Sequence, residues 1–555
     1  MRNKITDQNQ VLRAAGVLMA ISILARLAGF IREQAIAAKF GTSMATDAYV
    51  VAYTITNIVY LIIGGALATV FIPVFASYLN NNRAEPEGAA RDNLNTLGDL
   101  DQRRSAWTLA STVINLTLLV LGVITIFGIL VSPWLVKLIA PGFTAAASQL
   151  TTQLTQIMFP ITLLLALSML TGVILNSLRH FAVPALGSVI FSLTVLASVF
   201  TLGSAWGIVG LAAGTVIATI LQVAIQIPVL RRKGMHYYPV LKLKHPGIRQ
   251  IGILMGPVVL GNSVTQAYVF IERILASGLA EGSIAALNFA NKLTLLPFNL
   301  FALAINIAIF PTMSAHAAKN DLSALKKITL TGLKLVGLLT IPAMVWLMVL
   351  AEPIVRLIFE RGAFDLRSTY MTTFALNFYV LGLFALGAFN VLNRAFYALH
   401  DTKTPVLISV FAALANLGFS LILVRYLQHA GLALASALAS NLNLILAYYY
   451  IRPRLPNYQD RDLWIPLGKI ILASGIMGIG IWGTAHYLEK LIGTAGIVNL
   501  LLIIGAASMM GLVIYLFLIW RFKPDEELVE MVRNAVSKVT AKLGVKNINR
   551  RKSGR

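Results

Sequence analysis

Long apolar runs alternate with short polar breaks along the whole chain. Roughly 20 apolar residues suffice for a helix to cross a bilayer. Hydropathy and breakers predict about 14 such spans, near 11–39, 47–79, 106–139, 147–177, 182–204, 207–230, 249–279, 284–317, 325–359, 368–399, 404–426, 430–451, 464–488 and 496–520. Between the first two lies a short turn, Gly41 to Asp47, in which Thr46-Asp47 are able to cap the second helix. Gly64-Gly65 and Pro73 then supply places for close approach or a bend. Residues 80–105 are the most polar internal stretch and read as a loop.

Composition turns this pattern into a class. Of 555 residues 57% are hydrophobic and 12% charged, and mean hydropathy is +0.78, a balance no water-soluble fold could hide. The chain is therefore read as an all-α polytopic membrane protein. A net charge of +23 would suggest nucleic acid in a soluble protein, but no nucleic-acid-binding motif accompanies it. The cations instead fill alternate loops: Arg83, Arg91, Arg103 and Arg104; Arg179; Arg231, Arg232, Lys233, Lys242 and Lys244; Lys319, Lys326 and Lys327; Lys403; Arg452, Arg454 and Arg461; and the tail from Arg521 to Arg555. The opposite loops carry little Lys or Arg beyond Arg361 and Arg367, which share theirs with Glu360 and Asp365. That bias places both termini in the cytoplasm and lets the basic loops touch anionic lipid headgroups. Met1-Arg2-Asn3-Lys4 superficially opens a signal peptide, but the run behind it is too long and too charged, so it reads as a retained helix.

Chemistry is conspicuous by what the sequence omits. There is no cysteine, no Walker loop, no HExxH, no GxSxG and no metal-spaced cluster among the seven His. Any work the protein does would then have to come from an ion gradient, the membrane potential or its substrate's own gradient.

The chain also echoes itself. Ser132-Pro133 through Pro141-Gly142-Phe143 is answered by Glu352-Pro353 through Gly362-Ala363-Phe364. Pro184 and Pro405, and Gly210 and Gly431, share an offset of 221 (405 − 184; 431 − 210). Phe71-Ile72-Pro73 and Ile309-Phe310-Pro311 follow the same order at 238 (311 − 73). Two parallel six-helix lobes related by internal duplication are predicted, 1–242 and 243–455, followed by helices 13 and 14 over 456–522 and a basic tail over 523–555. Transporters built this way hold the substrate between the lobes and expose it by alternating access.

Such a cavity needs polar walls, and the first run supplies them. Arg26, Arg32 and Glu33 interrupt it, although an arginine near the centre of a spanning helix costs about 2.5–3.5 kcal/mol. At about 100° per residue, Ser22, Arg26, Gly29 and Glu33 share a stripe, with Arg32 about 120° to the side. Guanidinium matches phosphate geometry and keeps its proton, so this stretch reads as an anion site for a phosphorylated lipid headgroup. The alternative is a structural pair of Arg26 with Glu33, with Arg32 reaching the surface. In the second half Gln266, Glu272 and Arg273 lie in span seven, and Asn291 and Lys292 in span eight. Glu272 and Arg273 are adjacent and so diverge by about 100°. Asn416 and Ser420 share a face, and with Ser436 and Asn441 read chiefly as interhelical hydrogen-bond groups.

The segment from Arg26-Leu-Ala-Gly-Phe-Ile-Arg32-Glu33 through Phe40-Gly41 and Met44-Ala45-Thr46-Asp47-Ala48-Tyr49 resembles the opening of the MurJ (MviN) family. These are lipid II flippases of the multidrug/oligosaccharidyl-lipid/polysaccharide exporter superfamily. Glu272-Arg273-Ile-Leu-Ala-Ser-Gly-Leu, Ala290-Asn291-Lys292-Leu and Leu296-Pro297 are similar to its seventh and eighth helices. The resemblance implies a 14-span protein of the bacterial cytoplasmic (inner) membrane that exports undecaprenyl-diphosphate-linked peptidoglycan precursor for cell-wall biosynthesis. Its partners would be that lipid-linked sugar, membrane lipids and the cell-wall synthesis machinery. Residue by residue it implies substrate binding by Arg26, Arg32, Glu33, Asp47 and Lys292. Lys292 stands for an arginine, and so offers a point charge where the family has a fork. No cofactor is implied beyond sodium or membrane-potential coupling. A sodium site would draw on Glu272, Asn416, Ser420 and Ser436, with Ser420 where an acid is expected. Tyr60, Leu61 and Leu295 also depart from charged family positions.

Four rivals remain open. Another lipid-linked oligosaccharide flippase fits the same arginines, whereas a cation-coupled drug antiporter should present unpaired carboxylates. A polyprenyl glycosyl- or phospho-transferase would need acids or metal ligands at the water boundary. A non-transporting scaffold of the cell-wall machinery would tolerate loss of Arg26 and Arg32.

Overall fold

A computed structural model describes residues 2–80, 94–178, 180–456 and 459–525, with side chains except at 2–19, 79–80, 94–103, 264 and 265. The loop cations Arg83, Arg91 and Arg179, the Arg103 side chain and the tail beyond 525 lie outside these described residues. All regular elements among them are helical. In chain order they are α1 (Arg2–Phe40), α2 (Met44–Val59), α3 (Gly65–Asn80), α4 (Leu94–Ile139), α5 (Ala145–Met158), α6 (Pro160–Ser177), α7 (Ala182–Phe200), α8 (Leu202–Ala224), α9 (Gln226–Arg232) and α10 (Pro246–Ala276). Then follow α11 (Ser283–Pro297), α12 (Leu303–Ala318), α13 (Leu322–Val349), α14 (Ala351–Phe359), α15 (Leu366–Tyr379), α16 (Leu383–Ala398), α17 (Lys403–Ile451), α18 (Arg461–Ile492) and α19 (Ile497–Phe522).

Among the described residues 12 helices are long and apolar enough to cross a membrane. One of them, Lys403–Arg454, is broken at Gln428 (φ 51°, ψ −130°) and so contains two spans. With these two limbs and α1, the fourteen spans read from hydropathy are all present as helices.

The duplication is written in backbone irregularities as well as in side chains. Gly207 breaks α8 with φ 59° and ψ −140°, and Gln428 breaks α17 almost identically, 221 residues later (428 − 207). Tyr60–Gly64 and Phe298–Ala302 are single π-helical turns 238 residues apart (298 − 60). These are the two offsets already seen at Pro184/Pro405 and Pro73/Pro311. A π turn inserts one residue into the helical ladder and redirects every side chain after it.

The chain divides into two compact units, Met1–Asn288 with Phe359–Ser368 and Phe289–Ile358 with Thr369–Arg555. This division differs from the lobe boundary at 242 expected from the duplication. The physical reason is packing: α10 lies on α3 and α4, and Asn262 Nδ2 donates to the Leu61 carbonyl at 3.1 Å. The first unit packs α1 on α7, α7 on α8, α2 on α5 and α4 on α6. Its apolar centre includes Phe71, Phe75, Trp107, Leu170 and Ile174, with the Phe71 and Phe75 rings stacked at 5.1 Å.

In the second unit α16 packs on α13 and on α17, α18 lies on α13 and α19 on α18. The last hairpin, outside the duplication, is pinned along its length. Arg356 Nη1 donates to Thr494 Oγ1 at 3.1 Å, Trp346 Nε1 to Ser508 Oγ at 2.8 Å, the Tyr515 hydroxyl to the Leu338 carbonyl at 2.6 Å, and Lys334 pairs with Asp525 at 2.5 Å.

Candidate functional site

The first unit gathers most of the charged candidates. On α1 Arg26 is exposed, Arg32 half-buried and Glu33 buried. Arg32 commits two donors to one oxygen: Nη2 reaches Glu33 Oε1 at 2.7 Å and Nε reaches it at 3.2 Å. Its guanidinium also lies 5.4 Å from the centre of the Phe191 ring on α7, and Tyr49 and Tyr53 of α2 are within electrostatic reach. A carboxylate on one edge and an aromatic ring beside it fix the guanidinium plane, which prepares its remaining donors for an anion.

The same step recurs on α10. Arg273 Nη1 donates to Glu272 Oε1 at 3.0 Å. Adjacent residues point about 100° apart on a helix, yet these long side chains fold back and meet. Arg273 is only 6% exposed, and its Nε has no hydrogen-bond partner. It also lies within electrostatic reach of Asp47. Sequence reasoning noted Arg273 without assigning it to the site. Its signal was the repeated charge step, since Arg32-Glu33 precedes Gly41 by nine and eight residues and Glu272-Arg273 precedes Gly282 by ten and nine.

Asp47 is buried at 5% exposure and holds a turn from far along the chain. Its Oδ2 accepts the Gly282 N–H and its Oδ1 the Ala285 N–H, both at 2.7 Å. A carboxylate there satisfies the orphan donors at the start of α11 and complements its dipole. The expected capping of α2 by Thr46-Asp47 is corrected: Ser43 is the capping residue, accepting the Thr46 N–H at 3.4 Å, because its position one residue ahead of α2 aims its hydroxyl at the first turn.

Around this turn the segment 359–368 is stitched to the α1–α2 corner. The Ala363 N–H donates to the Ala38 carbonyl at 2.8 Å, the Thr42 hydroxyl to Ser368 Oγ at 2.8 Å, and Arg367 Nη2 to the Glu281 carbonyl at 2.9 Å. Gly41 and Gly362 make the approach possible. Both have positive φ, and a Cβ on them would fall 2.3 Å from the Ala363 oxygen and 2.2 Å from the Ala38 oxygen. Asp365 accepts the Ser368 N–H and hydroxyl, bonds that hold its carboxyl below the usual carboxylate range.

The other candidates belong to the second unit. Lys292 on α11 is half-buried. Asn416 and Ser420, each 2% exposed, share the first limb of α17, and Asn416 Nδ2 has no partner. Ser436 is half-buried on the second limb, where its carbonyl accepts the Ser440 hydroxyl at 2.9 Å. The side-chain oxygens of Asn416, Ser420 and Ser436 are of the kind that suits a hard cation. Among the described residues no group of three His, Asp or Glu converges as a metal site.

Comparison with known proteins gives one consistent family. The family model described as lipid II flippase MurJ matches residues 36–517. The chain is 28% identical over 506 residues to a probable lipid II flippase MurJ of Rickettsia prowazekii, covering 90% of this chain and 96% of that one. It is 28% identical over 479 residues to lipid II flippase MurJ of Burkholderia cenocepacia, covering 84% and 89%. Among solved structures, lipid II flippase MurJ in an inward closed conformation superposes with a TM-score of 0.75 at 23% identity, over 92% of this chain and 99% of that one. An inward-facing multidrug resistance MATE family transporter of the MOP superfamily gives a TM-score of 0.65 at 16% identity, over 79% and 98%. These two likenesses concern the fold.

Proposed function

We propose a function from the premise that the chain belongs to the MurJ lipid II flippase family: it moves lipid II from the inner to the outer leaflet of the bacterial cytoplasmic membrane, supplying cell-wall biosynthesis. It is a multi-pass transporter and not an enzyme. The observation that carries the site assignment is the half-buried Arg32, oriented by Glu33 at 2.7 Å and by the Phe191 ring. A diphosphate brings two anionic groups into an apolar medium, where each bare charge costs several kcal/mol. Guanidinium donors held in a fixed plane offset that cost with little reorganisation.

In this reading Arg26 and Arg32 hold the diphosphate, Glu33 positions Arg32, and Lys292 adds a third cation. Asp47 acts through the turn it holds at Gly282 and Ala285, and Glu272 plays toward Arg273 the part that Glu33 plays toward Arg32. Substrate is exposed to the two leaflets by alternating access, with both termini on the cytoplasmic side, an orientation that the positive-inside pattern supports. Sodium or the membrane potential supplies the drive, with Glu272, Asn416, Ser420 and Ser436 as the residues to test for sodium.

Depletion of the chromosomal flippase followed by rescue, with lipid II in the outer leaflet measured by a membrane-impermeant probe, tests the assignment. Arg32→Ala and Arg26→Ala should each abolish outer-leaflet lipid II at normal expression, and Arg32→Lys should restore only part of it. Growth and normal lipid II exposure with the well-expressed double alanine variant would overturn the assignment and favour a scaffold.

A further inference from the structure

Residues 231–249 join the span Leu202–Arg232 to the span that begins at Pro246. They carry Arg231, Arg232, Lys233, Lys242, Lys244 and Arg249 and no Asp or Glu. A connector of this composition would ordinarily be a solvated loop. Here its backbone is strapped to α4. Asn115 Nδ2 donates to the carbonyls of Tyr238 (3.2 Å) and Val240 (3.0 Å), the Tyr237 hydroxyl donates to Asn115 Oδ1 (2.5 Å), and the Tyr238 N–H donates to Ser111 Oγ (3.0 Å). The far end is fixed by His245. Its Nδ1 accepts the Gly247 N–H at 3.1 Å, its Nε2 meets Ser105 Oγ at 3.2 Å, and its ring lies 5.2 Å from that of Tyr78. The His245 N–H donates to the Lys242 carbonyl at 3.0 Å, which closes a tight turn with Leu243 and Lys244 at its tip.

What this scaffold displays is amphipathic. Leu241 is 50% exposed and Leu243 59%. With Lys242, Lys244 and His245 they line an open recess of about 570 Å³. Burial and the neighbouring Lys242 hold the His245 imidazole below its ordinary value, so at neutral pH it serves as a neutral cap. Two large leucines left uncovered on a pinned backbone are unlike a connector that merely spans a gap. They also stand at the membrane boundary, since Pro246 opens the next span. Leucines beside lysines at that depth match the chemistry of one occupant: an apolar chain for the leucines and a phosphate for the ammonium groups.

We infer that residues 241–245 form a docking site for an anionic phospholipid, with its headgroup phosphate on Lys242 and Lys244 and its acyl chains against Leu241 and Leu243. The strap on Ser111 and Asn115 holds the turn ready, so binding orders little of the chain. Its lining includes none of the arginines of α1, and the inference does not rest on the flippase reading.

The chain has no cysteine, which makes a single reporter clean. Full-length Leu243→Cys carrying an environment-sensitive fluorophore is placed in nanodiscs of phosphatidylcholine, or of phosphatidylcholine and phosphatidylglycerol in equal parts. Emission should shift to the blue, and quenching by spin-labelled acyl chains should rise, only when phosphatidylglycerol is present. Lys242→Gln with Lys244→Gln should return both signals to the phosphatidylcholine values, and should lower phosphatidylglycerol retained on the purified protein on the order of 30-fold. Lys242→Arg with Lys244→Arg should preserve them, which separates loss of charge from misfolding. Emission that is equally water-like in both lipids, or a lipid response that survives the glutamine pair, would overturn the proposal. So would a response reproduced in full by inorganic phosphate in detergent.

Discussion

Removing the Asp47 carboxylate should unlatch the start of α11 without unfolding the rest of its unit. Both carboxylate oxygens accept buried backbone N–H groups at 2.7 Å, and the residue is 5% exposed. A hydrogen bond to a charged group contributes about 1.5–3 kcal/mol, and an unsatisfied buried donor costs about 1–3 kcal/mol. Water admitted to the gap regains part of this, and losing a helix cap alone typically costs about 1 kcal/mol. A net loss of about 3 kcal/mol for Asp47→Ala is therefore a reasonable centre, equivalent to about 150-fold in the population of the opened turn. Asp47→Asn keeps one acceptor oxygen but turns an NH2 toward the second donor, so about half the loss is expected, near tenfold. Hydrogen exchange read by mass spectrometry on peptides covering 279–286 measures both numbers directly. The reasoning fails if Asp47→Ala leaves exchange of Gly282 and Ala285 within threefold of the parent. It also fails if protection falls equally throughout the unit, which would mean that the carboxylate supports the whole unit and not the turn.

Two further outcomes follow from the same geometry. Gly41→Ala and Gly362→Ala each force a side chain into the left-handed region, at about 1–2 kcal/mol, and against a carbonyl oxygen. Both weaken the single Ala363-to-Ala38 bond, so thermal unfolding in detergent should show a double variant less destabilised than the two singles added together. Asp401 behaves differently. Burial pushes its carboxyl up, but the hydrogen bonds from Thr404 and the Arg454 guanidinium outweigh this and hold it well below the usual carboxylate range. Its contribution is thus complete above the unfolded value near 3.9 and is lost as pH falls through the lower folded value. Arg454→Ala should cost about 1 kcal/mol or less between pH 5 and 8, with the gap to the parent closing only below about pH 4 in a thermal-shift series.

The membrane spans were legible because hydropathy needs no partner: each run declares itself. Even the break at Gln428 fell in the gap between spans 404–426 and 430–451. The division into compact units was less accessible. Repeats mark where a segment was copied, whereas the boundary after Asn288 depends on α10 packing against α3, which no local pattern encodes. Asp47 illustrates the same limit. An acid at the head of an apolar run looks identical whether it caps its own helix or one 235 residues away. The paired steps Arg32-Glu33 and Glu272-Arg273 were visible as neighbours, but helical angles alone argued that such neighbours diverge. Their bonds at 2.7 and 3.0 Å come from side-chain length, which an angle at Cα does not convey. Asn416 and Ser420 were placed on one face correctly, yet the sequence held no sign that the Asn416 amide nitrogen would lack a partner.

The terminal hairpin bears on how movement in this protein could be watched. Arg356 with Thr494, Trp346 with Ser508 and Lys334 with Asp525 fasten α18 and α19 to the unit that contains α13. A fluorophore fused after Phe522 is consequently a passenger of that unit, and its signal follows that unit's motion. Trimming the chain before Arg461 would strip the greasy flank of α13 of its cover, so a shortened protein that loses transport has also lost a wall, and its defect says nothing by itself about where the cargo binds.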